Sequence, residues 1–167
     1  MTKALLHRPK YPKALLNLAN TLKRNSRFED AIQAYEAHLR LQPSNWKARL
    51  SLAQTYEKLG EIDEAILEYR RAVSLNPSFM GAHFNLGVHY FNRGEFREAA
   101  ENFSQAVRLS PGFLKARIRL AQAYQQIGQL EQAIREYRQA LALAPDDDEV
   151  RDNLQALLEL KSAPDED

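Results

Sequence analysis

Lys115 and Arg119 stand four residues apart, one turn of an α-helix, so both cationic groups would project from one face. A pair of this kind can hold a carboxylate through charge-assisted hydrogen bonds, which are stronger than neutral ones. Asn85 precedes Arg119 by 34 residues and offers an amide that both donates and accepts, so it can pair with a peptide backbone without reading side chains. Near these polar groups fall Phe84, Val88, Phe91 and Ile118, which offer a ligand apolar area to bury. The chemistry these types favour is recognition of an acidic segment with an apolar anchor.

Candidates for catalysis and metal binding do not survive inspection of their spacing. The chain has no Cys, which excludes disulfides, cysteine-ligated zinc and thiol catalysis. His83 and His89 are six apart and point to different helix faces, while His7 and His38 are distant. All six glycines fall at helix-ending turns, hairpin packing positions or the segments between hairpins, so none builds a phosphate-cradling loop, and no Gly-x-Ser-x-Gly elbow occurs. Asp146-Asp147-Asp148-Glu149 lacks the ligand spacing and sharp-turn Gly of a calcium loop and reads as a helix N-terminus. Asn102-Phe103-Ser104 has the form of a glycosylation acceptor, but Phe103 reads as a mid-helix core residue. The chain is therefore expected to be neither an enzyme nor a holder of metal or cofactor.

Composition narrows the partners. Over 167 residues, 23 Lys and Arg stand against 22 Asp and Glu, a net charge of +1, so no overall basic excess marks the surface for nucleic acid or anionic lipid. With 44% hydrophobic and 27% charged residues, the chain is of the folded type. No apolar run approaches the ~20 residues of a membrane helix, and Met1 to Lys10 lacks an apolar core of signal-peptide length. A protein or peptide partner and a cytoplasmic location are expected.

The elements that must position these residues follow from a period. Pro9, Pro43, Pro77, Pro111 and Pro145 are each 34 apart, and the intervals align without gaps. In the same register fall Leu18, Leu52, Leu86, Leu120 and Leu154; Ala19, Ala53, Gly87 and Ala121; and Leu22, Tyr56, Tyr90 and Tyr124. A second set contains Ala31, Ala65, Ala99 and Ala133, followed four residues later by Tyr35, Tyr69, Phe103 and Tyr137. Ala82, Leu86, Gly87 and Tyr90 lie at i, i+4, i+5 and i+8, one face of a helix. Gly60, Gly94 and Gly128 end the first helices, where a positive φ is needed. Ser26 takes that place in the first copy, with Asn25 beside it to tolerate the left-handed conformation. A second helix then runs to the proline, so each repeat is a helical hairpin. Tyr56, Tyr90 and Tyr124 are expected to be largely buried wedges between hairpins.

This pattern resembles the tetratricopeptide repeat family, whose Leu-Gly, Tyr, Ala, Phe, Ala and Pro positions are matched by Leu86-Gly87, Tyr90, Ala99, Phe103, Ala106 and Pro111. The resemblance implies an all-α, right-handed solenoid of stacked hairpins: residues 12–45, 46–79, 80–113 and 114–147. Residues 148–161 read as a capping helix with Arg151, Asp152, Gln155 and Glu159 on its polar outer side. Residues 1–11 read as the remnant of a preceding repeat or an N-terminal cap, and 162–167 as an acidic tail. The first copy departs from the pattern through Leu22, Ser26 and His38, the last standing where Ala72, Ala106 and Ala140 occur. If its apolar side near Leu15, Leu22 and Leu39 is under-covered, end-to-end self-association through the N-terminal repeat follows.

In that family the first-helix face opposite the core lines a concave groove. Here it comprises Lys13, Leu16, Asn17, Asn20, Lys23 and Arg24; Lys47, Leu50, Ser51, Gln54, Glu57 and Lys58; Gly81, Phe84, Asn85, Val88, Phe91 and Asn92; and Lys115, Ile118, Arg119, Gln122, Gln125 and Gln126. An apolar stripe, Leu16, Leu50, Phe84 and Ile118, runs beside cations opposed by Glu57 alone. Lys115, Arg119 and Asn85 are expected to converge. They match three positions of the clamp by which some family members hold acidic chaperone tails, but Leu50 and Gln54 replace that clamp's Lys and Asn. The resulting expectation is a non-catalytic module binding an extended or helical peptide. The competing readings are a substrate-presenting array of a larger enzyme, such as a glycosyltransferase, in which Ser51 and Arg119 would interrupt the Asn ladder, and a structural assembly module.

Overall fold

The computed structural model describes residues 11–162, so the expectations for residues 1–10 and for the tail beyond Ser162 lie outside it. Among the described residues there are nine helices and no strand: α1 (Pro12–Arg24), α2 (Phe28–Leu41), α3 (Trp46–Leu59), α4 (Ile62–Leu75), α5 (Met80–Asn92), α6 (Phe96–Leu109), α7 (Leu114–Gln126), α8 (Leu130–Leu143) and α9 (Asp148–Ser162). They form two compact units, Met1–Ala82 and His83–Asp167. In the first, α1, α2, α3 and α4 pack in succession, and in the second α6, α7, α8 and α9 do so.

The turn within each hairpin is made the same way. Gly60, Gly94 and Gly128 have φ of 81°, 76° and 73°. This left-handed residue lets the amide after it reach back to the helix just ended, as Glu61 N does to Tyr56 O, Glu95 N to Tyr90 O and Gln129 N to Tyr124 O. In the first copy Ser26 itself adopts φ 57°, and Arg27 N donates to Leu22 O at 2.9 Å. Asn25, at φ −87°, does not carry the left-handed turn as its residue type suggested. The motif needs its turn residue at one offset from the helix, and that offset falls on Ser26.

Between hairpins, an arginine at the same register closes the loop. Arg49, Arg117 and Arg151 each donate from Nη2 to the carbonyl of the preceding proline, Pro43, Pro111 and Pro145, at 2.9, 2.9 and 2.7 Å. Arg49 also reaches Glu68 at 2.9 Å and Arg117 reaches Glu136 at 2.7 Å. These pairs tie the start of a first helix to the second helix of its own hairpin. Asn45 and Asp147 supply N-caps to α3 and α9 through Ala48 N and Val150 N. His38, the departure in the first copy, is buried and used: its Nδ1 donates to Pro12 O and its Nε2 accepts from Asn45 Nδ2, both at 2.8 Å, which sets the tautomer.

The core lies between the two helices of each hairpin. Tyr35, Tyr69, Phe103 and Tyr137 are each 0% exposed, facing Ala19, Ala53, Gly87 and Ala121 of the small-residue register. Tyr56, Tyr90 and Tyr124 are only half-buried, contrary to their expected role as the buried wedges. They pack against the core clusters from the edge, and the Tyr56 hydroxyl donates to Glu36 at 3.2 Å. Burial and the neighbouring Glu36, Glu68 and Glu64 push the Tyr56 hydroxyl up to about 12. Leu15, Leu22 and Leu39 are all buried, so they do not form the uncovered face on which end-to-end association was to rest. Arg151, Asp152, Gln155 and Glu159 are exposed, the polar side expected of α9.

The third copy packs differently. A Cβ on Gly87 would lie 2.6 Å from Phe103 Cδ1, and Phe84, where the other copies have Leu or Ile, sets its ring 5.7 Å from that of Phe103 between centroids. Replacing Gly87 by Ala gains about 1 kcal/mol of helix propensity but overpacks the core by about 1–3 kcal/mol. A net loss is expected on thermal or urea unfolding, reduced when Phe84→Leu is also present. Tyr69→Ala is expected to cost about 3–5 kcal/mol by cavity formation, and Tyr90→Ala clearly less. Equal costs for the two tyrosines would contradict the core assignment.

Candidate peptide-binding face

In the second unit the outward face of α5 and α7 combines aromatics with cations. Phe84 is half-buried, its ring 4.9 Å from that of Phe113 and 5.7 Å from that of Phe103. Phe91 meets Phe96 edge-on at 5.1 Å. Neighbouring aromatics thus cover part of both rings, and the exposed remainder is occupied by cations. Lys115 Nζ lies 5.8 Å from the centroid of Phe84, and the Arg119 guanidinium carbon 5.8 Å from that of Phe91. Such stacking is worth about 0.5–1 kcal/mol at exposed sites, enough to bias the rotamers of two long side chains.

Lys115, Ile118, Arg119 and Gln122, together with Leu114 and Glu149, line a trough of about 290 Å³. Arg119 Nη1 donates to Gln122 Oε1 at 3.1 Å, and among the described residues neither Lys115 nor Arg119 is in an ion pair. Asn85 is half-buried, and Lys115 and Arg119 are the two of the three expected donors that line this trough. Glu149, at the start of α9, joins them instead. It is a second carboxylate on a face where Glu57 alone is expected to oppose the cations, and in the sequence it belongs to the capping run Asp146–Glu149. Val88 is half-buried beside Phe84 and Phe91 in the same cluster.

The first unit presents a more committed surface. Asn17 and Lys47 are exposed, and Leu50, Ser51 and Gln54 are half-buried. Lys23 Nζ donates to Gln54 Oε1 at 2.8 Å, and burial pulls the Lys23 pKa down against the opposing pull of Glu57. Lys47 sits 5.5 Å over the Trp46 ring, which itself meets Phe79 at 5.1 Å. The sequence reading missed that second-helix tyrosines reach this face: Tyr35 OH donates to Asn20 Oδ1 at 2.6 Å and Tyr69 OH to Glu57 Oε2 at 2.7 Å. The available signal was the Tyr, Tyr, Phe, Tyr series at 34-residue spacing, whose one Phe stands where Val88 and Phe91 replace polar residues.

A larger cavity, about 610 Å³, lies between α6 and the end of α7, with His83, Arg97, Asn102, Gln105 and Tyr124 in its lining. His83 and Asn102 replace the Arg and Glu that pair as Arg49–Glu68 and Arg117–Glu136 in the neighbouring copies, and the smaller side chains leave the notch open. Among the described residues no group of His, Asp and Glu is placed to hold a metal ion, and no helix is long and apolar enough to cross a membrane.

Tetratricopeptide repeat family models match residues 16–78 and 59–112, and a further one residues 90–158. Comparison with curated proteins gives no match. Among solved structures, MamA is similar at 23% identity and a TM-score of 0.82, over 92% of this chain and 84% of that one. YrrB, described as a tetratricopeptide repeat protein with an unusual peptide-binding site, is similar at 20% identity and a TM-score of 0.84, over 98% and 84%. The first tetratricopeptide repeat domain of Spaghetti (RPAP3), solved with the HSP90 peptide SRMEEVD, is similar at 25% identity and a TM-score of 0.63, over 71% and 94%. With the 34-residue register, the left-handed hairpin turns and the all-α hairpin fold, these matches establish that the chain belongs to the tetratricopeptide repeat family, whose members are generally non-catalytic protein–protein interaction modules.

Proposed function

We propose that the second unit binds an acidic peptide with an apolar anchor on the outward face of α5 and α7, and that the chain works as a non-catalytic adaptor through this contact. The observation that carries the reading is the arrangement of Lys115 and Arg119: stacked on Phe84 and Phe91, in no ion pair with a described residue, and sharing a trough with Ile118. Two cations held by aromatic rings have surrendered part of their rotamer entropy before a ligand arrives. A ligand carboxylate then gains charge-assisted hydrogen bonds, while a side chain such as Leu or Val buries area on Ile118 and the ring edges. Asn85 and Val88 flank this site. In the first unit, Asn17, Lys47, Leu50, Ser51 and Gln54 form a weaker face, because Gln54 is already bonded to Lys23.

The HSP90 peptide bound to the RPAP3 domain, SRMEEVD, combines Glu and Asp with Met and Val, so a related scaffold takes a ligand of this chemistry. Leu50 and Gln54 argue against the same mode of end-carboxylate capture here. An internal acidic segment suits the Lys115–Arg119 pair better, since two cations one turn apart match side-chain carboxylates.

Binding is tested by calorimetric titration with a blocked pentapeptide of four glutamates around a central leucine, and with its glutamine counterpart. The glutamate peptide is expected to bind more tightly, and its affinity to fall as salt rises. Arg119→Ala should weaken it by about 1.5–3 kcal/mol, whereas Phe84→Leu should weaken both peptides without changing the salt dependence. Equal binding of the two peptides would remove the acidic preference and leave an apolar slot.

A further inference from the structure

The hydroxyl of Tyr137 is buried with no hydrogen-bond partner among the described residues. A buried unsatisfied donor costs about 1–3 kcal/mol and asks for an explanation. The equivalent hydroxyl in the first copy has a partner: Tyr35 OH donates to Asn20 Oδ1 at 2.6 Å, fifteen residues before it in the chain. The residue fifteen before Tyr137 is Gln122, which carries the same amide oxygen on a side chain one methylene longer. The surroundings correspond as well. Tyr35 packs in one cluster with Ala19 and Leu16 of α1, and Tyr137 in one with Ala121 and Ile118 of α7. Gln122 makes no hydrogen bond to Tyr137; its Oε1 accepts instead from Arg119 Nη1 at 3.1 Å. In the first copy Asn17 stands at the place of Arg119.

We propose that Gln122 is a positioning residue for carboxylate recognition, holding Arg119 in the unliganded chain and transferring to Tyr137 when a carboxylate takes Arg119. This rests on the reading of the trough as an acidic-peptide site. The exchange replaces a bond from Arg119 to a neutral amide by one to a charged carboxylate and at the same time satisfies the buried hydroxyl. A glutamine or asparagine ligand would release Gln122 to Tyr137 in the same way but offer Arg119 only a neutral acceptor, so it drives the exchange less strongly. Arg119 remains stacked on Phe91 throughout, so only the amide needs to rotate. Burial and the Glu149 carboxylate push the Tyr137 hydroxyl up to about 12, so it remains a donor at neutral pH.

The test begins without ligand, as a double-mutant cycle on unfolding midpoints of the whole chain. Tyr137→Phe is expected to leave the midpoint unchanged or raise it in the wild-type background. In the Arg119→Ala background, where Gln122 is released to Tyr137, the same substitution should lower the midpoint. Gln122→Met should abolish the difference between backgrounds. In titrations with the glutamate pentapeptide, Tyr137→Phe should weaken binding about threefold to tenfold, a hydrogen bond's worth, and weaken the glutamine peptide less. An identical effect of Tyr137→Phe in both backgrounds, with Arg119→Ala still weakening the glutamate peptide, would overturn the exchange and spare the binding site. If Arg119→Ala leaves the glutamate peptide unaffected, the acidic-ligand reading falls and this inference falls with it.

Discussion

The structure depends on one contact repeated four times: a large aromatic ring of each second helix set against a small residue of its partner first helix. Tyr35, Tyr69, Phe103 and Tyr137 are fully buried, and so are Ala19, Ala53, Gly87 and Ala121 of the facing register. Close approach on this side turns the opposite side of each first helix outward. Everything available for recognition is therefore what remains after the core has taken its positions. The third copy shows how strict the fit is, since Phe103 leaves no room even for a methyl group at residue 87.

The same packing explains the electrostatics of the candidate site. Where the second helix carries Tyr, its hydroxyl reaches the outward face and needs a polar residue there, as Asn20 and Glu57 supply. Where it carries Phe, no acceptor is required, and that stretch of the face becomes aromatic. Arg119 and Lys115 then bind to rings rather than to carboxylates. The cationic character of a chain with almost no net charge is thus local, and in the second unit it is set against an aromatic patch.

The gapless 34-residue period made the hairpins, the three left-handed glycines and the capping helix legible from the sequence, because each rests on spacing and on backbone requirements peculiar to Gly and Pro. The outward face was legible for the same reason, from helical periodicity. Which aromatic set is buried was not. Tyr90 and Phe103 both lie on apolar helix faces, and only the interhelical geometry shows that Phe103 is enclosed while Tyr90 stays half open. Partnerships were equally hidden: Gln54 with Lys23, Gln122 with Arg119 and Glu149 beside Lys115 depend on side-chain reach between helices, which no period encodes. The left-handed turn at Ser26 shows that position within a motif can outweigh residue preference.

The central claim is that recognition uses the outward positions of α5 and α7. Backbone amide chemical shifts of isotope-labelled protein, followed while the glutamate pentapeptide is added, test it most directly. The account predicts that the largest changes fall on Phe84 to Phe91 and Lys115 to Gln122, with α6 and α8 little affected. Changes centred on the notch of Arg97, Gln105 and Tyr124 would place the binding surface on the other side of the hairpins and contradict it.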